Sequence, residues 1–208
     1  MPARLTSRRR MVRRIAREDR AAQLVEFAVA LPLLVVFVVG IFDFSSAFTL
    51  KQKLTNVARD AARVAAAGPA NDVPNSSTSV PASVSDAYQL ISNYFTANKI
   101  NNCGMTAASY TLTSPASWKY SANGSGCPGT GLVITINRGY YFPESSTVQT
   151  ASTNCQAQAL GGQAAEIGTC VSIQYAYAWR FGRVASLLGT MPGLPSTLSV
   201  VSVTMNEN

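Results

Sequence analysis

LVEFAVALPLLVVFVVGIF, residues Leu24 to Phe42, is apolar from end to end except for Glu26. A helix rises about 1.5 Å per residue, so this run spans roughly 28 Å, close to the hydrocarbon core of a bilayer. Its flanks are unequal. Eight arginines precede Ala21 against Glu18 and Asp19, whereas the remainder of the chain carries nine Lys or Arg against eight Asp or Glu. The net charge of +7 therefore describes a basic leader and not a basic surface. Lys and Arg gather on the cytoplasmic side of membrane spans, so the leader places the N-terminus in the cytoplasm and the rest of the chain outside.

No helix stop follows the run. Asp43, Ser45 and Ser46 mark the exit from lipid, but the first breaker pair is Gly68-Pro69. Between them Leu50, Leu54, Val57, Ala61 and Val64 recur at steps of four and three, a one-faced helical stripe, with Lys51, Lys53, Arg59, Asp60 and Arg63 elsewhere. The expectation is one long helix over residues 22–67, membrane-embedded over about 24–42 and amphipathic beyond. Pro32 inside it removes one helical hydrogen bond and can kink it.

Downstream the pattern changes. Residues 68–83 are rich in Pro, Ser and Asn and read as a linker. Ser83 is a candidate cap for a short helix, with Val84, Tyr88, Ile91 and Phe95 on one face. Four strands are expected after it. Leu132–Ile136 is closed by Asn137-Arg138-Gly139. Val171, Ile173, Tyr175, Tyr177 and Trp179 alternate with smaller residues. Leu198–Met205 comes last, and Tyr110–Thr113 is weaker. Gly- and Ser-rich loops occupy 121–131 and 144–163. The fold class is α+β: a basic leader (1–21), a long N-terminal helix (22–67), a linker (68–83) and an extracytoplasmic head (84–208) built on a small antiparallel sheet, a lollipop in outline.

The chemistry available to the head is narrow. The chain has no histidine, which removes the commonest general base and zinc ligand. There is no Ser-x-x-Lys element, and Gly124, Gly126, Gly129 and Gly131 lack the Lys-Ser/Thr ending of a phosphate loop. No catalytic residue, metal site, cofactor, nucleic-acid or small-molecule partner is expected. Tyr175, Tyr177 and Trp179 fit a core stripe better than a binding stripe. Cys103, Cys127, Cys155 and Cys170 lack close metal-binding pairs, and an even number on the oxidising side of a membrane reads as two disulfides. Three connectivities are open. The sequential one, Cys103 with Cys127 and Cys155 with Cys170, closes the shortest loops.

Glu26 remains. A carboxylate in an apolar run of membrane length is costly and points to a functional partner, although snorkelling to the nearby interface lowers that cost. It stands five residues after Ala21 and is followed by Phe27, the pattern around the cut of type IV prepilins. A cut between Ala21 and Ala22 makes Glu26 the fifth mature residue, where it can meet the new amine of a neighbouring subunit. Arg20-Ala-Ala-Gln-Leu-Val-Glu-Phe-Ala-Val-Ala-Leu-Pro-Leu-Leu, Gly40-Ile-Phe-Asp-Phe and Leu54-Thr-Asn-Val-Ala-Arg-Asp-Ala-Ala-Arg together resemble the opening of TadE-like proteins, the minor pseudopilins of tight-adherence pilus and secretion systems. The resemblance covers about residues 20–67. It implies processing by a prepilin peptidase, anchoring in the bacterial cytoplasmic membrane with the head outside, and assembly with other pilus subunits and pseudopilins in adherence. The family favours Gly before the cut, where this chain has Ala21; unprocessed, the chain stays a membrane-anchored accessory subunit. The alternative is an extracytoplasmic binding protein, secreted by an ordinary signal peptide cut after Ala47 or held by an uncleaved anchor.

Overall fold

The computed structural model describes residues 5–72, 79–114, 116–143, 154–155, 164–180 and 195–207. These fall into two compact units, one running through Ser45 and the other built from Ser46–Trp179 and the C-terminal strand. The expected loop at 144–163 and the middle of the expected linker lie largely outside the described residues.

A single helix, α1, runs from Leu5 to Ala67 with Pro32 inside it. Its end is where Gly68-Pro69 places it, but its start is earlier than expected. The leader offers no breaker after Pro2 and is rich in Arg and Ala, both good helix formers, so nothing in it ends the helix. Beyond Ser46, Leu54, Val57, Ala58, Ala61, Ala62 and Ala65 are fully buried. The expected stripe holds through Ala61 and then fails at Val64, which is 37% exposed. Steps of four and three advance at 3.5 residues per turn, and a helix turning at 3.6 drifts off such a stripe, so Ala62 and Ala65 take the inner positions.

The second helix, α2, spans Ala82–Ala97 and buries Val84, Ala87, Tyr88, Ile91 and Phe95. Its N-cap is Pro81 and not Ser83, which lies inside the first turn. The capping role passes to a remote side chain: the Ser83 amide donates to Asp72 Oδ2 at 3.0 Å. Asp72 closes a 3-10 turn, Ala70–Asp72, within the stretch expected to be linker.

Five antiparallel strands follow: β1 (Tyr110–Ser114), β2 (Ser117–Ala122), β3 (Leu132–Pro143), β4 (Ala164–Ala176) and β5 (Thr197–Met205). Their order in the sheet is their order in the chain. The α+β class is as expected, a long helix followed by a small antiparallel sheet. One strand, β2, was not expected, although Trp118 and Tyr120 alternate with Lys119 and Ser121. Two others differ in extent. β4 starts seven residues before Val171 and stops before Tyr177. β3 does not stop at Asn137-Arg138-Gly139 but runs on to Pro143, and those residues form a bulge, where the register slips between Asn137 and Tyr140. A bulge inserts an extra residue without ending a strand, so residues that resemble a stop re-aim the chain instead.

The register places Tyr120, Ile134, Ile173 and Val200 in one row across four strands, and Trp118, Ile136 and Val171 in the next. These side chains share one hydrophobic cluster with the buried residues of α2 and of α1 beyond Leu54. The two helices therefore cover one sheet face. Tyr88 stacks on Tyr120 with ring centroids 4.4 Å apart, and Phe95 meets Tyr175 edge-on at 6.4 Å. On the other face a smaller cluster gathers Tyr140, Cys155 and Cys170, with Val201 and Val203 against it.

Candidate functional site

Residues Ala22 to Ala67 of α1 are long and apolar enough to cross a membrane. The first part of this span owes its helical state to composition: Ala, Leu and Phe punctuate the valines, and a helix is one of the few ways to satisfy every backbone group in lipid. Its surface is apolar on nearly all sides. Leu24 is 70% exposed, Phe27 64% and Ile41 69%. Among the described residues of the first unit, Val36, Gly40 and Asp43 form a buried line. Asp43, expected at the exit from lipid, is thus buried, while Phe44 and Phe48 beyond it are exposed.

Glu26 sits on this apolar surface, exposed, and the ion pair formed among the described residues does not involve it. Ala22 lies four residues earlier, hence on the same helix face and one turn away. Were the chain cut before Ala22, the new terminus would present an ammonium group and three backbone N–H groups, those of Gln23, Leu24 and Val25, without helical acceptors. The positive end of the helix dipole adds to them. A carboxylate carried one turn inside the same terminus has the charge, reach and depth to meet those groups on an adjacent helix. Phe27, the next residue, is exposed as well.

In the second unit a polar joint was not legible in advance. Arg138, on the β3 bulge, is turned inward with its side chain 1% exposed. Its Nη1 donates to Asp72 Oδ1 at 3.0 Å and to Ser83 Oγ at 2.6 Å, and its Nη2 donates to the Gly68 carbonyl at 2.8 Å. One guanidinium thereby ties together the end of α1, the 3-10 turn, the start of α2 and the sheet. Burial pushes the Arg138 guanidinium below its ordinary value, and the Asp72 charge works in the opposite direction. Gly68 belongs to the same joint, because a β-carbon there would overlap Ser83 Cβ. The available signal was a lone charge: Arg138 is the one charged residue in the sequence between Lys119 and Glu144.

Two disulfides staple the loops, Cys103–Cys127 and Cys155–Cys170, with Cα separations of 5.3 and 5.5 Å. The first holds the glycine-rich loop, in which Gly126, Gly129 and Gly131 have positive φ and Gly124 donates to the Cys103 carbonyl. The second anchors Cys155, whose carbonyl accepts from Asn137 of the bulge at 3.0 Å. Tyr175 belongs to the core, whereas Trp179 leaves the strand and donates to the Pro195 carbonyl at 2.7 Å. A cavity of about 150 Å³ on the sheet face opposite the helices is lined by Thr113, Ser117, Lys119, Val133, Thr135, Asn154 and Gln174. Among the described residues that line it, Lys119 is the ionisable one. Among the described residues no group of three metal-ligating side chains occurs.

Residues 21–63 match the family model of TadE-like proteins. The match covers Ala22, Glu26, Phe27 and the stalk as far as Arg63. No curated protein and no solved structure matches the chain.

Proposed function

We propose that this chain, TadE-like through its first helix, is a minor pseudopilin that works by assembly and not by catalysis. Residues Leu24–Phe42 anchor it in the bacterial cytoplasmic membrane. The basic leader stays in the cytoplasm and the sheet unit lies outside. A prepilin peptidase cuts between Ala21 and Ala22, and the processed helix joins those of other pilus subunits and pseudopilins in an apparatus for adherence. The observation that carries this reading is Glu26: a carboxylate exposed on an apolar helix surface, one turn from Ala22, inside the segment that matches the family. A charge placed there at a cost in lipid finds its compensation in a neighbour's terminal amine.

The alternative of a secretory signal cut after Ala47 finds less support. That bond falls inside α1, and Ala47 is buried at 4% exposure.

Glu26→Gln is the deciding variant, since it keeps size and most hydrogen bonding but removes the charge. Membrane insertion and both disulfides are expected to remain. Crosslinking to other pilus subunits and pilus-dependent adherence are expected to fall at matched abundance. Equal crosslinking and equal adherence would sink the proposed role of Glu26.

A further inference from the structure

Among the described residues the sheet ends in β1 on one side and β5 on the other, and the two edges differ. β1 is five residues long, breaks register between Leu112 and Ser114, and turns the Thr113 hydroxyl onto Ser117. Shortness and irregularity are the usual ways in which a sheet edge is made unfit for pairing. β5 has neither. It pairs with β4 over nine residues without a slip, from Thr197 opposite Ala176 to Met205 opposite Gly168. It contains no proline and no charged residue. Its far end is pinned: Asn206 Nδ2 donates to the Arg138 carbonyl, and Thr169 Oγ1 meets Asn206 Oδ1 at 2.6 Å.

The backbone bonds that bracket β5 fix which groups look outward. Tyr177 donates to the Ser196 carbonyl, and Asn206 donates to the Ile167 carbonyl. Antiparallel pairs alternate between bonded and non-bonded, so the even-numbered residues of β5 bond to β4. Ser199, Val201 and Val203 turn their N–H and C=O groups to the open side. Among the described residues no strand pairs with that side.

We propose that the outer side of β5 is a docking edge for an extended, uncharged segment of another pilus subunit, which joins the sheet as a sixth strand. The inference rests on the pseudopilin reading above. The rows of the sheet specify the segment. Residues opposite Leu198 and Val200 continue the main core, and those opposite Val201 and Val203 continue the second cluster. A segment of alternating β-branched residues meets both demands. The absence of charge on β5 disfavours a charged partner, whose ions would be desolvated without compensation.

A second copy of this chain is a poorer occupant. Antiparallel pairing of β5 with itself rotates one copy by half a turn about the sheet normal. The stretch of α1 that packs on the sheet face is reversed by that rotation. The two Ser46 ends then point in opposite directions, whereas both chains must leave one membrane at that end.

The test places a photoreactive residue at Met205, which is 54% exposed, in the full chain in native membranes. Ser199→Pro removes an outward donor and spares the bonds to β4, whereas Ser199→Ala keeps the donor. Crosslinking to another pilus subunit is expected in the parent and in Ser199→Ala. It is expected to fall about tenfold in Ser199→Pro, the equivalent of one net hydrogen bond. Both disulfides should form in all three. Hydrogen exchange gives a second measurement that needs no substitution: the amides of Ser199, Val201 and Val203 should exchange more slowly in the assembly than in detergent. Equal crosslinking by the two Ser199 variants, crosslinking only to a second copy, or unprotected amides would overturn the docking edge. If Glu26→Gln abolishes co-assembly and Ser199→Pro does not, the edge fails and the pseudopilin reading stands. If the parent chain joins no pilus subunit at all, both fail.

Discussion

Arg138 and Asp72 stand 66 residues apart in the chain and 3.0 Å apart in space, with 1% and 13% of their side chains exposed. A buried pair of this kind is weak evidence of net stabilisation, because desolvation offsets much of the attraction. Breaking one side is another matter, since it strands a charge. Asp72→Ala also removes the acceptor for the Ser83 amide at the start of α2. We expect Asp72→Ala or Arg138→Ala to cost about 3–5 kcal/mol, read as a lower denaturant midpoint of the full chain in detergent. A joint replacement of both by apolar residues should cost much less than the sum of the single changes.

Gly68 tests the same joint without touching a charge. Gly68→Ala drives a methyl group into Ser83 and toward Arg138. A cost of about 1–3 kcal/mol is expected from overpacking, with the secondary structure retained in circular dichroism. A neutral result would mean that α1 and α2 can separate at that point.

The disulfides close loops with sequence separations of 24 and 15 residues. Losing either one, by Cys103→Ser with Cys127→Ser or by Cys155→Ser with Cys170→Ser, should cost about 2–5 kcal/mol. On loop-closure entropy alone the Cys103–Cys127 pair is worth slightly more, and denaturant titration of the two double variants measures the difference. Peptide mapping without reductant should recover both sequential pairs.

Alkaline pH should weaken the sheet unit. Burial raises the pKa of Tyr88, Tyr120 and Tyr175 above the ordinary 10.0, most of all at Tyr120, where Tyr88 and Tyr110 add to the effect. The unfolded chain then releases these protons at lower pH than the folded one. The stabilisation is complete below pH 10 and is lost as pH rises through the folded values. Melting temperature should be flat from neutral pH to about 9 and fall above about 10. Tyr120→Phe should flatten that fall.

Processing and orientation can be read directly. The N-terminal sequence of the mature protein should begin at Ala22. A reporter active only outside the cytoplasm should be active when fused after Asn208. A start at Phe48, or an inactive but stable fusion, would favour the other readings of the N-terminal segment.

The first helix was legible because its signals are local: a long apolar run, a one-faced stripe and a Gly-Pro stop all act within a few turns. The alternating strands were legible for the same reason. The bulge was not, since Asn137-Arg138-Gly139 looks like a turn until Asp72, Ser83 and the Gly68 carbonyl are brought to it from elsewhere. Val64 was lost to a fraction of a residue per turn, accumulated over four turns of helix. The cap of α2 was missed because its acceptor comes from eleven residues upstream and not from the adjacent Ser83. Glu26 was legible as an anomaly, a charge where none is cheap, without any knowledge of what surrounds it.

The order of the strands in the sheet has a consequence for how the chain is made. Each strand pairs with the one that follows it in sequence. A sheet unit that is delivered in chain order, β1 before β5, can therefore add one strand at a time, and none has to wait for a later one to find its place. The β1–β2 hairpin is short in sequence and closes quickly, whereas β3 with β4 and β4 with β5 close longer connections. Each newly placed strand is the template for the next, so the sheet grows in one direction, from β1 to β5.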